Sequence, residues 1–319
     1  MKKRVLVTGA TGFAGQSIVR TLLRRNYSVF ALARSDEKFM RVFTEKERRQ
    51  INKIKISNAE NRQASFYKNL LDKNSINTVI HAGAIAGEFA LPWNDYYSTN
   101  VVWTKNLALA LSSSKTKNKE FIFISTGGVY GTAPRYMPAD ELHPFLPDSK
   151  YAKSKVLAEK ELIDIKKKYS LPISVFRPTL MYGSHDYGFL YKIFRMVKKR
   201  HFVLFDNPKI CLLDVNTLAE ACEKVLRTGI PGAFNLAEKP ILFSSLLNNI
   251  SVSSKGRYFR LPGLFSQILC LLPSNYLRSR LILISKPLDY SNAKAIKELG
   301  IRFKETIANL SNYYEWYLQ

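Results

Sequence analysis

Val5-Leu6-Val7-Thr8-Gly9-Ala10-Thr11-Gly12-Phe13-Ala14-Gly15 decides how the rest of the chain is read. An apolar run meets regularly spaced glycines, and Ile18, Val19, Leu22 and Leu23 then recur at helical spacing. Strand, glycine-rich turn and helix in that order open a dinucleotide-binding unit. Gly9 permits the tight turn, Gly12 lets the backbone approach a pyrophosphate, and Gly15 lets helix and strand pack closely. The helix N-terminus presents free amides and a partial positive charge to phosphates. Gly9, Thr11, Gly12, Phe13, Ala14 and Gly15 are therefore candidate cofactor-binding residues. The spacing is GxxGxxG rather than GxGxxG. A glycine turn without a ligand is the alternative, and the flanking strand and helix argue against it.

Working outward, Ser28 to Ala33 reads as a second strand, ending in Ala33-Arg34-Ser35. In a dinucleotide fold this end meets the adenosine ribose, where an acidic residue selects NAD. Here Arg34 suits the 2′-phosphate of NADP, with Ser35 beside it, and Asp36 keeps NAD open. Residues 36–62 read as charged helix or loop, and Ser65-Phe66-Tyr67 as a third strand leading into Asn69 and Leu70. Thr78 to His81 forms a fourth strand running into Ala82-Gly83-Ala84, small residues against which a cofactor can lie. His81 reads as a packed core histidine. Trp93 to Ser114 is an amphipathic helix carrying Asn100.

Phe121 to Ile124 is a continuous apolar run, as in a buried parallel strand. It delivers Ser125-Thr126-Gly127-Gly128-Val129-Tyr130-Gly131 at its C-terminal end, where doubly wound folds place ligands. Tyr151 and Lys155 follow on one face of the next helix. Tyr290 and Lys294 repeat that spacing, but only Tyr151 follows a strand ending in hydroxyl residues. Ile173 to Phe176 is a sixth strand, ending in Arg177-Pro178-Thr179. Beyond Met181 the strand–helix alternation breaks up, which predicts a smaller lobe. The expected division is 1–180 as a dinucleotide-binding domain. Residues 181–319 then form mainly a substrate-binding lobe, with some elements returning.

Hydrophobic residues make up 46% of the 319, ample for a core. Cys211, Cys222 and Cys270 show no paired spacing and the four histidines are scattered, so a reducing compartment and no metal site are expected. The formal net charge of +24 suits an anionic partner, or reflects solvated faces. No RNA-binding motif accompanies it, so nucleic acid is not expected. No apolar run reaches the ~18 residues of a membrane span. Tyr258 to Lys286 interleaves arginines with Leu264, Phe265, Ile268 and Leu272. That stretch either packs in the lobe or makes weak peripheral contact with the inner membrane face of a cytoplasmic protein.

Thr8-Gly9-x-x-Gly12-x-x-Gly15, Ser125-Thr126-x-x-Val129-Tyr130-Gly131, Tyr151-x-x-x-Lys155 and Arg177-Pro178 together resemble the extended short-chain dehydrogenases/reductases. This is the NAD-dependent epimerase/dehydratase family, and the resemblance covers essentially the whole chain. It implies a Rossmann doubly wound parallel sheet with a C-terminal substrate lobe, a nucleotide-sugar substrate and a homodimer. It implies Tyr151 as acid/base, Lys155 on the nicotinamide ribose, and Thr126 bonded to the reacting sugar oxygen. Asn69 and Leu70 would lie near the adenine, where Asn69 replaces an acidic residue, and Pro178 would border the cofactor. In 4,6-dehydratases an Asp-Glu pair follows the hydroxyl residue; here it is Gly127-Gly128, which argues against elimination. The short loop from Asp206 to Cys211 lacks the arginine such enzymes bring to a diphosphate, leaving Lys209 or Arg195 as substitutes. The layout is similar to reductases and epimerases of bacterial O-antigen assembly. The expectation is an NADP-dependent reductase of a 4-keto nucleotide sugar. A 4-epimerase on a nucleotide- or polyprenyl-linked sugar is the alternative, and a non-catalytic dinucleotide-binding protein the second.

Overall fold

The computed structural model describes residues 3–56, 63–86, 91–261 and 287–319. β1 (Arg4–Thr8) runs into α1 (Phe13–Arg24), and β2 (Ser28–Ala33) follows within the expected bounds. Next come α2 (Asp36–Val42), α3 (Glu45–Gln50) and β3 (Ile51–Lys55). The third strand therefore lies where charged helix or loop was expected. It forms the sheet edge, and of Ile51-Asn52-Lys53-Ile54-Lys55 only Ile51 is buried. Lysines on an exposed edge discourage pairing with another chain, which explains so polar a strand.

Ser65-Phe66-Tyr67 is not a strand. It lies in α4 (Ala64–Lys73), where Tyr67 and Leu71, four apart, are both fully buried. Burying one helical stripe outweighs the strand preference of the aromatic pair. Asn69 is thereby left exposed and Leu70 packs under the sheet, so neither sits at a strand end as expected.

β4 (Thr78–His81) precedes a helical run of three stretches: α5 (Trp93–Tyr96), the π-helical Tyr97–Val102 and α6 (Trp103–Ser113). β5 (Glu120–Ile124), α7 (Lys150–Tyr169) and β6 (Ile173–Pro178) complete the first part. The main sheet is parallel with strand order β11-β6-β5-β4-β1-β2-β3, its seventh strand being β11 (Gly232–Leu236). Its two apolar faces pack on α1 and α9 (Val215–Thr228) on one side, and on α4, α6 and α7 on the other.

The smaller lobe holds β7 (Leu180–Tyr182), α8 (Phe189–Lys198) and β8 (Phe202–Leu204). β9 (Lys209–Ile210), β10 (Leu212–Asp214), β12 (Ile241–Leu242), α10 (Phe243–Ser254) and β13 (Tyr258–Arg260) complete its strands and helices up to residue 261. These strands form two-stranded pairs around their own core of Phe194, Phe202, Phe243 and Leu247. Among the late elements, α9, β11 and the helix Ala293–Leu299 all join the core under the main sheet. Most of the interleaved stretch Tyr258–Lys286 lies outside the described residues; within it, Tyr258–Arg260 pairs with β8.

Candidate active site

A cavity of about 640 Å³ opens at the C-terminal ends of β1, β2 and β4. Of the expected cofactor residues, Gly9, Thr11, Gly12, Arg34, Ser35, Ala82, Gly83 and Ala84 line it. Gly9 has φ +64°, and a Cβ there would stand 2.7 Å from the Ala82 carbonyl oxygen. Gly15 does not line the cavity but brings α1 down onto the turn: a Cβ there would meet Gly9 O at 2.0 Å. Gly12 caps α1 without a side-chain bond and the first turn holds no acidic residue, so the amides at Phe13 and Ala14 remain available to an anion. A dinucleotide pyrophosphate fits this cradle.

Lys38, Ile56, Asp95, Ser98, Thr99 and Trp103 also line the cavity and were missed from the sequence. Ile56 immediately follows the unexpected β3 and lines the cavity, whereas Asn69 and Leu70 do not. The signal for Lys38 was present: Ser35 caps α2, accepting from Lys38 N at 3.1 Å, which turns that first helical turn toward Arg34. Asp36, the carboxylate that kept NAD open, is held by Lys53 and Lys55 at 2.6 Å each. Their hydrogen bonds bring its pKa down to about 2.

Ser149 caps α7, accepting from Ala152 N at 3.1 Å, and so fixes Tyr151 in the first turn with Lys155 one turn on. Tyr151 and Thr126 share a hydrogen bond between their hydroxyls, and Thr126 Oγ1 also accepts from Gly128 N at 3.1 Å. Burial pushes the Tyr151 phenol above its ordinary range, and the bond to Thr126 opposes this. Lys155 is 2% exposed, donates to Ile124 O at 2.7 Å and lies 4.4 Å over the Phe123 ring. Burial lowers its pKa to about 7, against the pull of Glu159. Lys155 is thus poised to gain or lose a proton near neutrality. A sugar carbinol against Thr126 and Tyr151 would meet two hydroxyls suited to moving one proton.

A second layer holds these groups. Glu159, one turn beyond Lys155, pairs with Arg177 at 2.6 Å, both nearly inaccessible. Ser125 Oγ donates to the same carboxylate, and Arg177 donates to the Tyr130 hydroxyl at 2.7 Å. The Tyr151-Lys155-Glu159 spacing was the sequence signal for Glu159. Asn100, in the π-helical stretch, exchanges hydrogen bonds with both backbone groups of Ile85 and donates to Ser154 Oγ at 2.9 Å.

His81 is a core histidine, as expected: it is fully buried and bonded to Thr8 Oγ1 at 2.6 Å and Thr104 Oγ1 at 3.0 Å. Burial, with the Lys155 charge, holds its pKa well below 6.5, so it is neutral. Thr104 donates to Asn100 O, which leaves its oxygen to accept from Nε2–H and makes Nδ1 the acceptor from Thr8. Pro178 is buried, its carbonyl close to Gly127. Arg195 is exposed and donates to Tyr191 at 3.1 Å, and Lys209 is exposed on β9.

Fold and site define an extended short-chain dehydrogenase/reductase. The family description "NAD dependent epimerase/dehydratase family" matches residues 5–237, and the chain belongs to that family. An Escherichia coli O157:H7 relative, named N-acetyl-alpha-D-glucosaminyl-diphospho-ditrans,octacis-undecaprenol 4-epimerase, is 27% identical over 76% of this chain and 69% of its own. A human dTDP-D-glucose 4,6-dehydratase is 26% identical over 72% of this chain and 67% of its own. A Methanocaldococcus jannaschii relative is 30% identical, but the match spans only 57% of each chain. The UDP-glucose 4-epimerase structure from Thermotoga maritima superposes with a TM-score of 0.81, at 19% identity over 98% of both chains, which speaks for the fold.

Proposed function

We propose that the chain is a nucleotide-sugar 4-epimerase, exchanging hydride at carbon 4. The carrying observation is the Thr126–Tyr151 hydroxyl pair beside buried Lys155, with Gly127-Gly128 where an elimination would need acids. Tyr151 takes the proton from the 4-hydroxyl while Thr126 orients that oxygen. A bound nicotinamide supplies the hydride acceptor and, once reduced, the donor. Lys155 in its charged form favours tyrosinate. Were the bound nicotinamide to give the hydride back to the opposite face, Tyr151 would return the proton to the same oxygen, and carbon 4 would be inverted with no net redox change. The lobe after Pro178 takes the sugar and its diphosphate. The relative named as a 4-epimerase supports this reading, and the absent acid pair separates it from the relative named as a dehydratase.

An NADP-linked reduction of a 4-keto sugar, the expectation from the sequence, is the second reading. It is favoured by Arg34, Ser35 and Lys38 on the cavity rim and by the locking of Asp36 onto β3. Mass spectrometry of the copurifying nucleotide separates the two. Retained oxidised cofactor supports the epimerase; a site that purifies empty and fills with NADPH supports the reductase. Arg34→Ala should weaken NADPH by ~1.5–3 kcal/mol, the range for a hydrogen bond to a charged group, and leave NADH unchanged. Equal losses for both cofactors in a titration would show that Arg34 does not read the 2′-phosphate. A nucleotide-sugar substrate puts the work in the cytoplasm, and flotation with anionic liposomes tests the peripheral contact expected of 258–286.

A further inference from the structure

The second Tyr-x-x-x-Lys match, set aside by order in the sequence, brings its tyrosine to the same turn as the first. Tyr290 is 8% exposed. Its backbone is held on both sides of Ala139: Ala139 N donates to Asp289 O and Ser291 N donates to Ala139 O, each at 2.9 Å. The hydroxyl end of its ring lies over Gly127, immediately after Thr126. A Cβ at Gly127 would stand 3.3 Å from Tyr290 Cζ and 3.4 Å from Cε1. The ring therefore occupies the space into which a side chain at 127 would grow.

Neighbouring Tyr130, 5.9 Å away between ring centroids, donates to Asn235 and accepts from Arg177, so its hydroxyl is satisfied. The Tyr290 hydroxyl has no hydrogen-bond partner among the described residues. It is not one of the sealed, unpartnered polar atoms of the described residues, which are Thr179 Oγ1 and Thr217 Oγ1, and a phenol beside Thr126 can offer a bound hydroxyl one hydrogen bond.

We propose that Tyr290 is a specificity-determining residue of the sugar site: its ring closes the position where an eliminating acid would stand, and its hydroxyl bonds the bound sugar. The proposal rests on the nucleotide-sugar reading above. A pyranose suits such a wall, offering hydroxyls to the phenol and C–H groups to the ring edge.

The test measures binding of UDP-glucose, UDP-N-acetylglucosamine and dTDP-glucose to the cofactor-loaded protein by calorimetry, with KM and kcat for any that turn over. Tyr290→Phe keeps the ring and should weaken the sugar bound by wild type ~3- to 10-fold, the loss of one hydrogen bond. The expected change is in Kd and KM, with kcat, cofactor affinity and melting temperature unchanged. Gly127→Ala, which displaces the ring tip, should also weaken binding, and should add little in the Tyr290→Phe background. Wild-type binding with no change in Tyr290→Phe overturns the proposal alone. Failure of wild type to bind any of the three overturns the nucleotide-sugar reading and takes the proposal with it.

Discussion

Tyr151–Lys155 and Tyr290–Lys294 have the same spacing and opposite fates. The first pair lies wholly within α7, so spacing becomes proximity, and the Lys155 ammonium reaches 6.0 Å from the Tyr151 ring. In the second, the helix begins only at Ala293. Tyr290 is left in extended chain, and Lys294 turns away to Ala233 O at 2.9 Å and the face of Phe234. A spacing of four carries chemistry only where one helix spans both residues.

Breaking the first pair should have the largest effect. Tyr151→Phe removes one hydroxyl while Lys155 and the cradle stay, so turnover should fall ~10²–10⁴-fold with cofactor binding nearly intact. Turnover within a few-fold of wild type would falsify the acid/base role.

The two lysines should differ next in their response to pH. Lys155 has a folded pKa of about 7, below the ~10.4 of an unfolded lysine. Between those values the unfolded chain binds more protons, so the penalty for burying this group fades as pH rises. Wild type should therefore gain on Lys155→Met between pH 7.5 and 9.5 by on the order of 1–3 kcal/mol in urea unfolding. Parallel profiles for the two proteins would mean that Lys155 is charged throughout. The smallest effect belongs to Lys294→Met. Loss of one backbone hydrogen bond should cost ~1 kcal/mol of stability and leave kcat within a few-fold, as denaturant titration and steady-state rates would report.

The same dependence on context explains what could be read from the sequence. The β1 turn and the buried strands β5 and β6 were legible because their chemistry is local: glycines at fixed offsets and unbroken apolar runs. β3 was hidden because an edge strand keeps lysines outward, and α4 was mistaken because three residues suited to a strand sit on a helix whose buried stripe shows only over a full turn. That misreading put Asn69 and Leu70 at a strand end, whereas Ile56, just after β3, is the residue that lines the cavity. Thr126, Tyr151 and Lys155 stood out as candidates because a known order of motifs accompanied them. Tyr290 did not, since its place depends on pairing with Ala139, 151 positions earlier by number (290 − 139).

The return of β11 to the main sheet has a mechanical consequence. The chain passes between sheet and lobe at Thr179, at Val215, at Ala237, and again around Asn292 and Lys304. The lobe is laced to the sheet rather than hung from it. A swing about one hinge would have to flex every lace together, so this connectivity favours small sliding movements between packed faces. The same lacing ties the melting of the lobe to that of the sheet.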